Sequence, residues 1–297
     1  MKIIDLYKKN KVVLSLEVFP PRANYPVETV FQTIEELKKL EPAYISVTYG
    51  AGGSSRARTV EIASRIKREY GIEAQAHLTC VGHDKKDINS IMDQLLEEDV
   101  HNIMALRGDP PLDDPDFDYS RGEFPYASEL IKEIKKRDEF GIAAAAHPEG
   151  HPECSRLKED LFYLKEKVDT GVDFLISQLF FDNRVFFDFV DRARSTGINC
   201  LIIPGIMPVL NSLQIRRIIY LCGASMPARL LKIVDKYEDK PQDMEKAGIE
   251  YASSQIEELI VNGMPGVHLY TMNRAWQICK IVSNTGIIQT GSSERGS

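Results

Sequence analysis

The chain has 297 residues, a formal net charge of −7, a hydrophobic fraction of 43% and a charged fraction of 27%. These values are ordinary for a globular protein with one large domain or two small ones. The acidic balance, without any lysine- or arginine-rich block, argues against a nucleic-acid partner, although a local cationic cluster could still bind a small anionic ligand.

Strand-like and helix-like segments alternate along the first half of the chain. Short β-rich runs predict strands over 12–17, 44–48, 74–78 and 102–106. Apolar residues at helical spacing predict helices over 27–40, from Ser54 or Ser55 to about Tyr70, and near 84–98. The fourth strand opens the stretch NIMALRGDPP (102–111), where Pro110 and Pro111 end it because proline lacks a backbone N–H.

The second half repeats this scheme. Helices are predicted over 126–140, 156–170, 183–196, 212–222, about 243–262 and 274–282, and strands over 142–147, 174–178, 200–204 and 267–271. Eight strands that alternate with helices indicate parallel strands joined by right-handed crossovers. At this length they favour an α/β fold of the closed (β/α)8 type, a TIM barrel, with its active site at the carboxyl ends of the strands.

An open, doubly wound sheet is the alternative fold, but the GxGxxG fingerprint is missing, and the loop over 50–53 lacks the GK[ST] ending of a phosphate-binding loop. No composition break marks a linker. We therefore predict a single domain over 1–289, followed by a flexible glycine- and serine-rich tail over 290–297.

The cysteines and the N-terminus bear on the cell compartment. The five cysteines are scattered and never form a CxxC pair, which favours reduced thiols over disulfides or a zinc site. The N-terminus is charged, and no apolar run approaches the ~20 residues that span a bilayer. We expect a cytoplasmic protein without a membrane partner.

Polar residues stand where the predicted strands end. In a barrel these ends share one rim, and a ligand there would satisfy groups that are costly to bury unpaired. Any one of them alone is better explained as a satisfied core or loop residue. The set is Glu17, Thr48, His77, Arg107-Gly108-Asp109, His147, Gln178, Pro204-Gly205 and Tyr270-Thr271.

Glu17 is the candidate for proton transfer. Its neighbours in sequence are apolar, and such company is expected to raise its pKa toward neutrality. The alternative is a carboxylate paired with Arg22. For the stretch 102–111, a ligand-binding edge and a simple local pair between Arg107 and Asp109 are equally good interpretations.

The segment HPEGHPE (147–153) suggests a metal site at first sight. However, the HExxH zinc helix is absent, and Pro148 and Pro152 disfavour a helix that would align His147 with His151. A loop that contacts a ligand through its imidazoles is the better interpretation, a purely structural loop is the alternative, and no metal site is predicted.

Eight stretches resemble methylenetetrahydrofolate reductase and follow the order of that family across almost the whole chain. They are SLEVFPPR (15–22), ISVTYGAGGSSR (45–56), AHLTC (76–80), ALRGDPP (105–111), HPEGHPE (147–153), QLFFD (178–182), IIPGIMP (202–208) and HLYTMNR (268–274). The resemblance implies a homo-oligomeric flavoprotein of one-carbon metabolism and methionine supply. Such an enzyme reduces 5,10-methylenetetrahydrofolate to 5-methyltetrahydrofolate by alternating half-reactions.

The resemblance also implies the ligand contacts. FAD would lie across the strand ends on Thr48, His77, Arg107, Gly108, Asp109, Tyr126, Ala127, His147, His151, Asp160 and Lys167. Folate would bind the exposed flavin face on Glu17, Asp109 and Gln178, with Arg274 nearby. Glu17 would be the general acid, and Asp109 would favour the cationic intermediate.

Several features remain open at this point. His147 stands where bacterial relatives often have tyrosine, Glu166 where they often have arginine, and 209–213 lacks the aromatic residue that often stacks on folate. The electron donor could be NADH, NADPH or a partner flavoprotein or iron–sulfur protein. The rival interpretation is a pterin-binding or methyl-handling barrel without flavin.

Overall fold

In the part of the chain that the structure describes, nine parallel strands form a central sheet in the order β7-β6-β5-β4-β3-β2-β1-β9-β8. The computed structural model describes residues 1–9, 12–21, 24–49, 56–110, 114 and 117–287. The strands are β1 (Val13–Val18), β2 (Tyr44–Val47), β3 (Glu73–Thr79), β4 (Asn102–Leu106), β5 (Gly141–Ala146), β6 (Phe174–Ser177), β7 (Leu201–Ile203), β8 (Gly205–Ile206) and β9 (Gly266–Tyr270).

Pro204 explains why there are nine strands where eight were expected. It separates β7, which pairs with β6, from β8, which pairs with β9. Because proline cannot donate a ladder hydrogen bond, it interrupts the predicted strand over 200–204 and divides it between the two edges of the sheet. The sheet is thus a nearly closed α/β barrel, and the predicted fold class is confirmed.

Helices alternate with these strands, as the periodicity predicts. They are α1 (Ile4–Lys9), α2 (Glu28–Leu37), α3 (Arg56–Tyr70), α4 (Lys85–Glu97), α5 (Ala127–Ile134), α6 (Leu157–Asp169), α7 (Asn183–Ser195), α8 (Ser212–Cys222), α9 (Ala228–Tyr237), α10 (Pro241–Val261) and α11 (Ala275–Thr285). Short 3-10 turns lie at Lys38–Leu40 and Tyr119–Arg121.

Three helices differ from the expectation. The prediction missed α1, which has only six residues, and α9, although its two buried residues, Leu230 and Val234, stand four apart as on one face of a helix. The helix predicted over 126–140 ends at Ile134, because the following KKRDE (135–139) offers no apolar side chain to bury.

The half of the barrel interior near the amino ends of the strands is apolar. Helix α1 covers the amino ends of the strands, and Ile3 and Tyr7 pack there against Tyr44, Phe174 and other interior side chains. The rings of Tyr7 and Phe174 lie 5.6 Å apart, and the Tyr7 and Tyr44 hydroxyls lie 3.1 Å apart. Since this end is filled, the carboxyl ends of the strands are left to form the site.

In the described part of the chain, none of the helices combines the length and apolarity that crossing a membrane would need. The single domain over 1–289 stays a prediction, and the predicted tail over 290–297 lies outside the described residues.

Candidate functional site

Glu17 lies at the carboxyl end of β1, inside the barrel and 6% exposed. One carboxylate oxygen, Oε2, is 3.4 Å from Nε2 of His77 on β3 and 3.4 Å from Nε2 of His268 on β9. Both imidazoles are buried. Parallel register brings these three strands to the same end of the barrel, so a carboxylate between two imidazoles is a direct product of the topology.

Each imidazole is supported by a serine. The Ser15 hydroxyl is 2.9 Å from Nδ1 of His268 and donates to the carbonyl of Val267 at 3.2 Å. The Ser46 hydroxyl is 2.7 Å from Nε2 of His77. The His268 ring thus connects Ser15 to Glu17 through its two nitrogens, an arrangement through which a proton can be passed.

The expected pKa shift of Glu17 was wrong in direction. Burial does raise the pKa, but the hydrogen bonds and charges of His268 and His77 outweigh it and lower the pKa to about 2. The apolar neighbours in sequence, Leu16 and Val18, belong to the outer core because side chains alternate along a strand. Arg22, the alternative partner, lies outside the described residues.

Arg107, just after β4, is held by Glu153 in a bidentate ion pair, with Nη1 2.8 Å from Oε2. Its guanidinium also lies over the ring of Tyr119, 4.1 Å from the centroid. The local Arg107–Asp109 pair considered for this stretch is therefore wrong. Asp109 is exposed and has no ion-pair partner among the described residues, so its carboxylate is open to a ligand.

Gly108 shapes the same edge. Its φ is +88°, and a Cβ at this position would lie 3.0 Å from Cβ of Thr79. A side chain is therefore excluded by both the backbone conformation and the neighbour, which leaves the backbone open to close approach by a flat ligand.

The loop after β5 forms a second polar group with α6. The rings of His147 and His151 are 4.8 Å apart, and Nδ1 of His151 accepts from the backbone N–H of Glu153 at 3.2 Å. Burial, aided by the charges of His151, Lys167 and Arg107, lowers the pKa of His147 to about 3. His147 is therefore a neutral imidazole at physiological pH.

Lys167 on α6 reaches the same group, and its ammonium donates to the carbonyl of Ala145 at 2.6 Å. Burial lowers its pKa to about 8 against the opposing charge of Asp160, while burial raises the pKa of Asp160. The structure thus brings His147, His151, Asp160 and Lys167 together, and their role in binding FAD stays a prediction. In the described ranges, no three His, Cys, Asp or Glu side chains are grouped to hold a metal ion.

The remaining predicted residues lie around this rim. Thr48 follows β2 directly, and its backbone N–H donates to the carbonyl of Val18 on β1 at 3.1 Å. Tyr126 is exposed and precedes α5, whose first residue is Ala127, and it gives that helix no side-chain cap. Oε1 of Gln178 accepts from the N–H of Leu179 at 2.9 Å. Arg274 is exposed immediately before α11.

The sequence analysis missed the polar interior beneath the rim. Ser15, Ser46, Gln75 and His268 are all 0% exposed, yet each was treated as ordinary strand sequence. A signal existed: Ser15 and Glu17, and likewise Gln75 and His77, are two residues apart on one face of strands that are otherwise apolar.

A family model described as "Methylenetetrahydrofolate reductase" matches residues 2–286. The chain belongs to the methylenetetrahydrofolate reductase family. This confirms the resemblance seen in the eight stretches of sequence.

Named relatives within the methylenetetrahydrofolate reductase family include plant and bacterial proteins. "Methylenetetrahydrofolate reductase (NADH) 1" of Arabidopsis thaliana is 34% identical over 310 residues, which cover 99% of this chain and 52% of the relative. "5,10-methylenetetrahydrofolate reductase" of Escherichia coli K12 is 35% identical over 279 residues, covering 94% and 92%. The chain thus spans about half the length of the plant relatives it matches and nearly all of this bacterial one.

Among solved structures, a Clostridium thermocellum protein described as binding two copies of 5-methyl-5,6,7,8-tetrahydrofolic acid is similar in fold, with a TM-score of 0.63. It is 13% identical and covers 95% of this chain and 96% of its own. Tryptophan synthase from M. tuberculosis also matches, with a TM-score of 0.53 at 11% identity, 95% of this chain and 96% of its own. At such identities the likeness concerns the barrel alone.

Proposed function

We propose that this protein reduces 5,10-methylenetetrahydrofolate to 5-methyltetrahydrofolate, with FAD as cofactor and a reduced nicotinamide as electron donor. Family membership supports the reaction class. The observation that carries the mechanism is the buried carboxylate of Glu17 between two imidazoles at the catalytic rim of the barrel. A carboxylate in contact with two imidazoles, in a site shielded from water, can relay a proton to a bound substrate.

The residues present fit a flavin dinucleotide. The bare backbone at Gly108 suits a flat ring, and Lys167 and Arg107 suit the pyrophosphate. The N-terminus of α5 at Ala127 has no side-chain cap, and a helix N-terminus of this kind suits a phosphate. His147 and His151 would line the same cleft, together with Thr48, His77, Asp109, Tyr126 and Asp160. When bound, FAD would supply the hydride.

Proton delivery is the task of Glu17. Protonation of N10 opens the five-membered ring of the substrate, and the cationic iminium that results is the hydride acceptor. Since Glu17 is anionic at rest, its proton must come from a neighbouring imidazolium, and His268, backed by Ser15, is placed to pass one. Afterwards the carboxylate remains as a negative charge near the cation.

Folate recognition falls to the open polar groups of the rim. The exposed carboxylate of Asp109 can accept two hydrogen bonds from the donor edge of the pterin, and its charge favours the iminium. Gln178 donates and accepts, which suits the mixed pterin edge. Arg274 beside the rim is suited to the substrate's own carboxylates.

The same proposal places the protein in one-carbon metabolism and methionine supply, in the cytoplasm and as a homo-oligomer. NADH or NADPH would stack on the flavin transiently; a partner flavoprotein or iron–sulfur protein would serve the same purpose. The printed name of the Arabidopsis relative specifies NADH.

A second candidate function is pterin binding or methyl handling without flavin. The pair between Arg107 and Glu153 favours it, because a cation expected on the FAD pyrophosphate is already neutralised. The FAD proposal requires that the ion pair between Glu153 and Arg107 breaks, or that Arg107 contacts the pyrophosphate and Glu153 at the same time.

Spectroscopy and half-reactions separate the two. Protein purified with or reconstituted by FAD should absorb in the flavin region, be bleached by NADH or NADPH without oxygen, and be reoxidised by methylenetetrahydrofolate. The flavin could instead resist bleaching by both nucleotides and yet, after chemical reduction, be reoxidised by methylenetetrahydrofolate. That result would assign the donor role to a partner protein. Failure to retain or take up FAD, with folate binding intact by calorimetry, would establish the flavin-free alternative.

A further inference from the structure

Gln75 on β3 lies beneath the Glu17 site and has an unusual hydrogen-bond balance. Its side chain is 0% exposed, Oε1 accepts from the Ser46 hydroxyl at 3.4 Å, and Nε2 has no partner among the described residues. A buried polar group left unpaired destabilises the folded state. An apolar side chain of similar size would avoid that cost, so the glutamine calls for an explanation.

A chain of contacts leads from Gln75 to Glu17. The Ser46 hydroxyl bridges Oε1 of Gln75 and Nε2 of His77, and that same nitrogen lies 3.4 Å from Oε2 of Glu17. Because a hydroxyl has one proton, Ser46 cannot donate to both Gln75 and His77. If the proton goes to Gln75, Ser46 must accept from His77, whose proton is then on Nε2.

The opposite polarity conflicts with Glu17. With the amide of Gln75 turned round, Nε2 would donate to Ser46 and Ser46 would donate to His77. The lone pair of His77 Nε2 would then be used by Ser46, and that ring edge would offer the carboxylate no N–H. An anionic Glu17 therefore favours the amide orientation in which Oε1 of Gln75 accepts the hydrogen bond from Ser46.

We propose that Gln75 is a positioning residue that acts through Ser46 to keep the proton of His77 on Nε2, where the Ser46 hydroxyl at 2.7 Å and the Glu17 carboxylate at 3.4 Å share it. The proposed function supplies its purpose: Glu17 then accepts from His268 and shares the N–H of His77, and it stays anionic until substrate binds. The contacts of His77, Ser46 and Gln75 thus hold Glu17 in its anionic resting state. The contacts of His268 and Ser15 deliver the proton to Glu17.

The first test needs no activity. In protein labelled with ¹⁵N-histidine, the two ring nitrogens have distinct shifts, and His77→Gln assigns the signal among the six histidines. We expect the His77 proton on Nε2 at neutral pH. A proton on Nδ1 alone would overturn the proposal, whatever the outcome of the folate assay.

The second test removes the acceptor. Gln75→Leu, or Gln75→Met if the first variant does not fold, should shift the His77 proton toward Nδ1 and leave the His268 signals unchanged. It should also shift to higher pH the limb of the profile in which folate reduction is lost as the pH rises, because Glu17 loses one donor and its pKa increases. Other ionisable groups that act on Glu17 are unchanged in this variant, namely His268, Tyr44 and Tyr270.

Gln255→Leu is the matched control. Gln255 is also a buried glutamine, but it lies on α10 and donates to the carbonyl of Phe180 at 3.0 Å. We expect this control to lose thermal stability without any change in His77 or in the pH profile. Unchanged His77 signals and an unchanged profile in both Gln75 variants would mean that Gln75 is only a core residue. Loss of folate reduction in the wild type, with the expected His77 signals, would count against the proposed function alone.

Discussion

The side-chain amide of Asn273 pairs with both backbone polar groups of Phe19. Its Oδ1 accepts from the Phe19 N–H at 2.9 Å, and its Nδ2 donates to the Phe19 carbonyl at 2.8 Å. Glu17 lies two residues before Phe19, and its own carbonyl accepts from the hydroxyl of Thr271, immediately after β9, at 2.6 Å. The end of β1 is thus fixed to the turn before α11.

That turn is strained, because Met272 and Asn273 have φ of 48° and 55°. We expect Asn273→Ala to lose about 1–3 kcal/mol of stability, through two hydrogen bonds and a left-handed backbone that alanine tolerates poorly. Asn273→Gly, which keeps the backbone freedom, should recover part of the stability but none of the folate turnover. Chemical unfolding measures the loss of stability, and steady-state assays measure the turnover of methylenetetrahydrofolate. Normal turnover in the glycine variant would show that the hydrogen bonds between Asn273 and Phe19 do not position Glu17.

Glu17→Gln should retain FAD and accept hydride from a reduced nicotinamide at a normal rate, since neither step needs a proton at N10. Folate reduction should fall by about 10²–10⁴-fold, the usual loss on removing a general acid. Stopped-flow measurement of each half-reaction separates these effects. Near-normal folate turnover would remove Glu17 from the mechanism.

Lys167 predicts a pH dependence of FAD binding. With a pKa of about 8, the side chain is charged below pH 8 and loses its charge as the pH rises through that value. FAD affinity should therefore decline from about pH 7 to about pH 9 in the wild type and stay level in Lys167→Arg. Lys167→Ala should bind FAD weakly throughout, with a smaller salt dependence, because Glu166 offers no replacement cation. Equal affinity of the alanine variant and the wild type at low salt would place the pyrophosphate elsewhere.

Asp109→Asn should act on both half-reactions, unequally. An amide nitrogen would face the donor edge of the pterin, so folate affinity should fall by roughly 1–3 kcal/mol. Loss of a negative charge near the flavin should make its reduction potential less negative, which slows folate reduction more than nicotinamide oxidation. Asp191→Asn, at an exposed aspartate on α7, is the control. If affinity and potential match the control, Asp109 has no contact with either ligand.

His147 predicts acid sensitivity of the fold. Its pKa is about 3 in the folded state against an ordinary value of 6.5, so the unfolded chain takes up a proton first as the pH falls. Stability should therefore decrease from pH 6.5 toward about pH 3, by up to about 1.4 kcal/mol per unit. Between about pH 7 and about pH 5, His147→Gln should lose about 2 kcal/mol less than the wild type in urea unfolding. Parallel curves for His147→Gln and the wild type would contradict the prediction.

The rim could be predicted from sequence because it depends on local patterns. Alternating strands and helices give parallel strands, and parallel strands place Glu17, Arg107 and Gln178 at one end without any knowledge of packing. The family resemblance then added residues on helices, such as Lys167, that strand ends alone do not indicate.

The sequence did not reveal ion-pair and hydrogen-bond partners that lie far apart along the chain. The apolar neighbours of Glu17 in sequence misled the pKa prediction, since the side chains that act on it come from β3 and β9. In the same way Asp109 was the near candidate for Arg107, but Glu153, 46 residues away, is the partner. Charge partners depend on which loops meet, and sequence spacing does not encode that.

Glu17 and His268 are 251 residues apart along the chain, on the first and last strands to be synthesised. During translation, the carboxylate therefore meets this imidazole only after nearly the whole barrel has been made. Long-range pairing of this kind forms late and slowly. Local opening between β1 and β9 in the finished protein would separate the two groups while most of the core stays packed, so hydrogen exchange at Leu16 and Leu269 reports directly on how often the proton site comes apart.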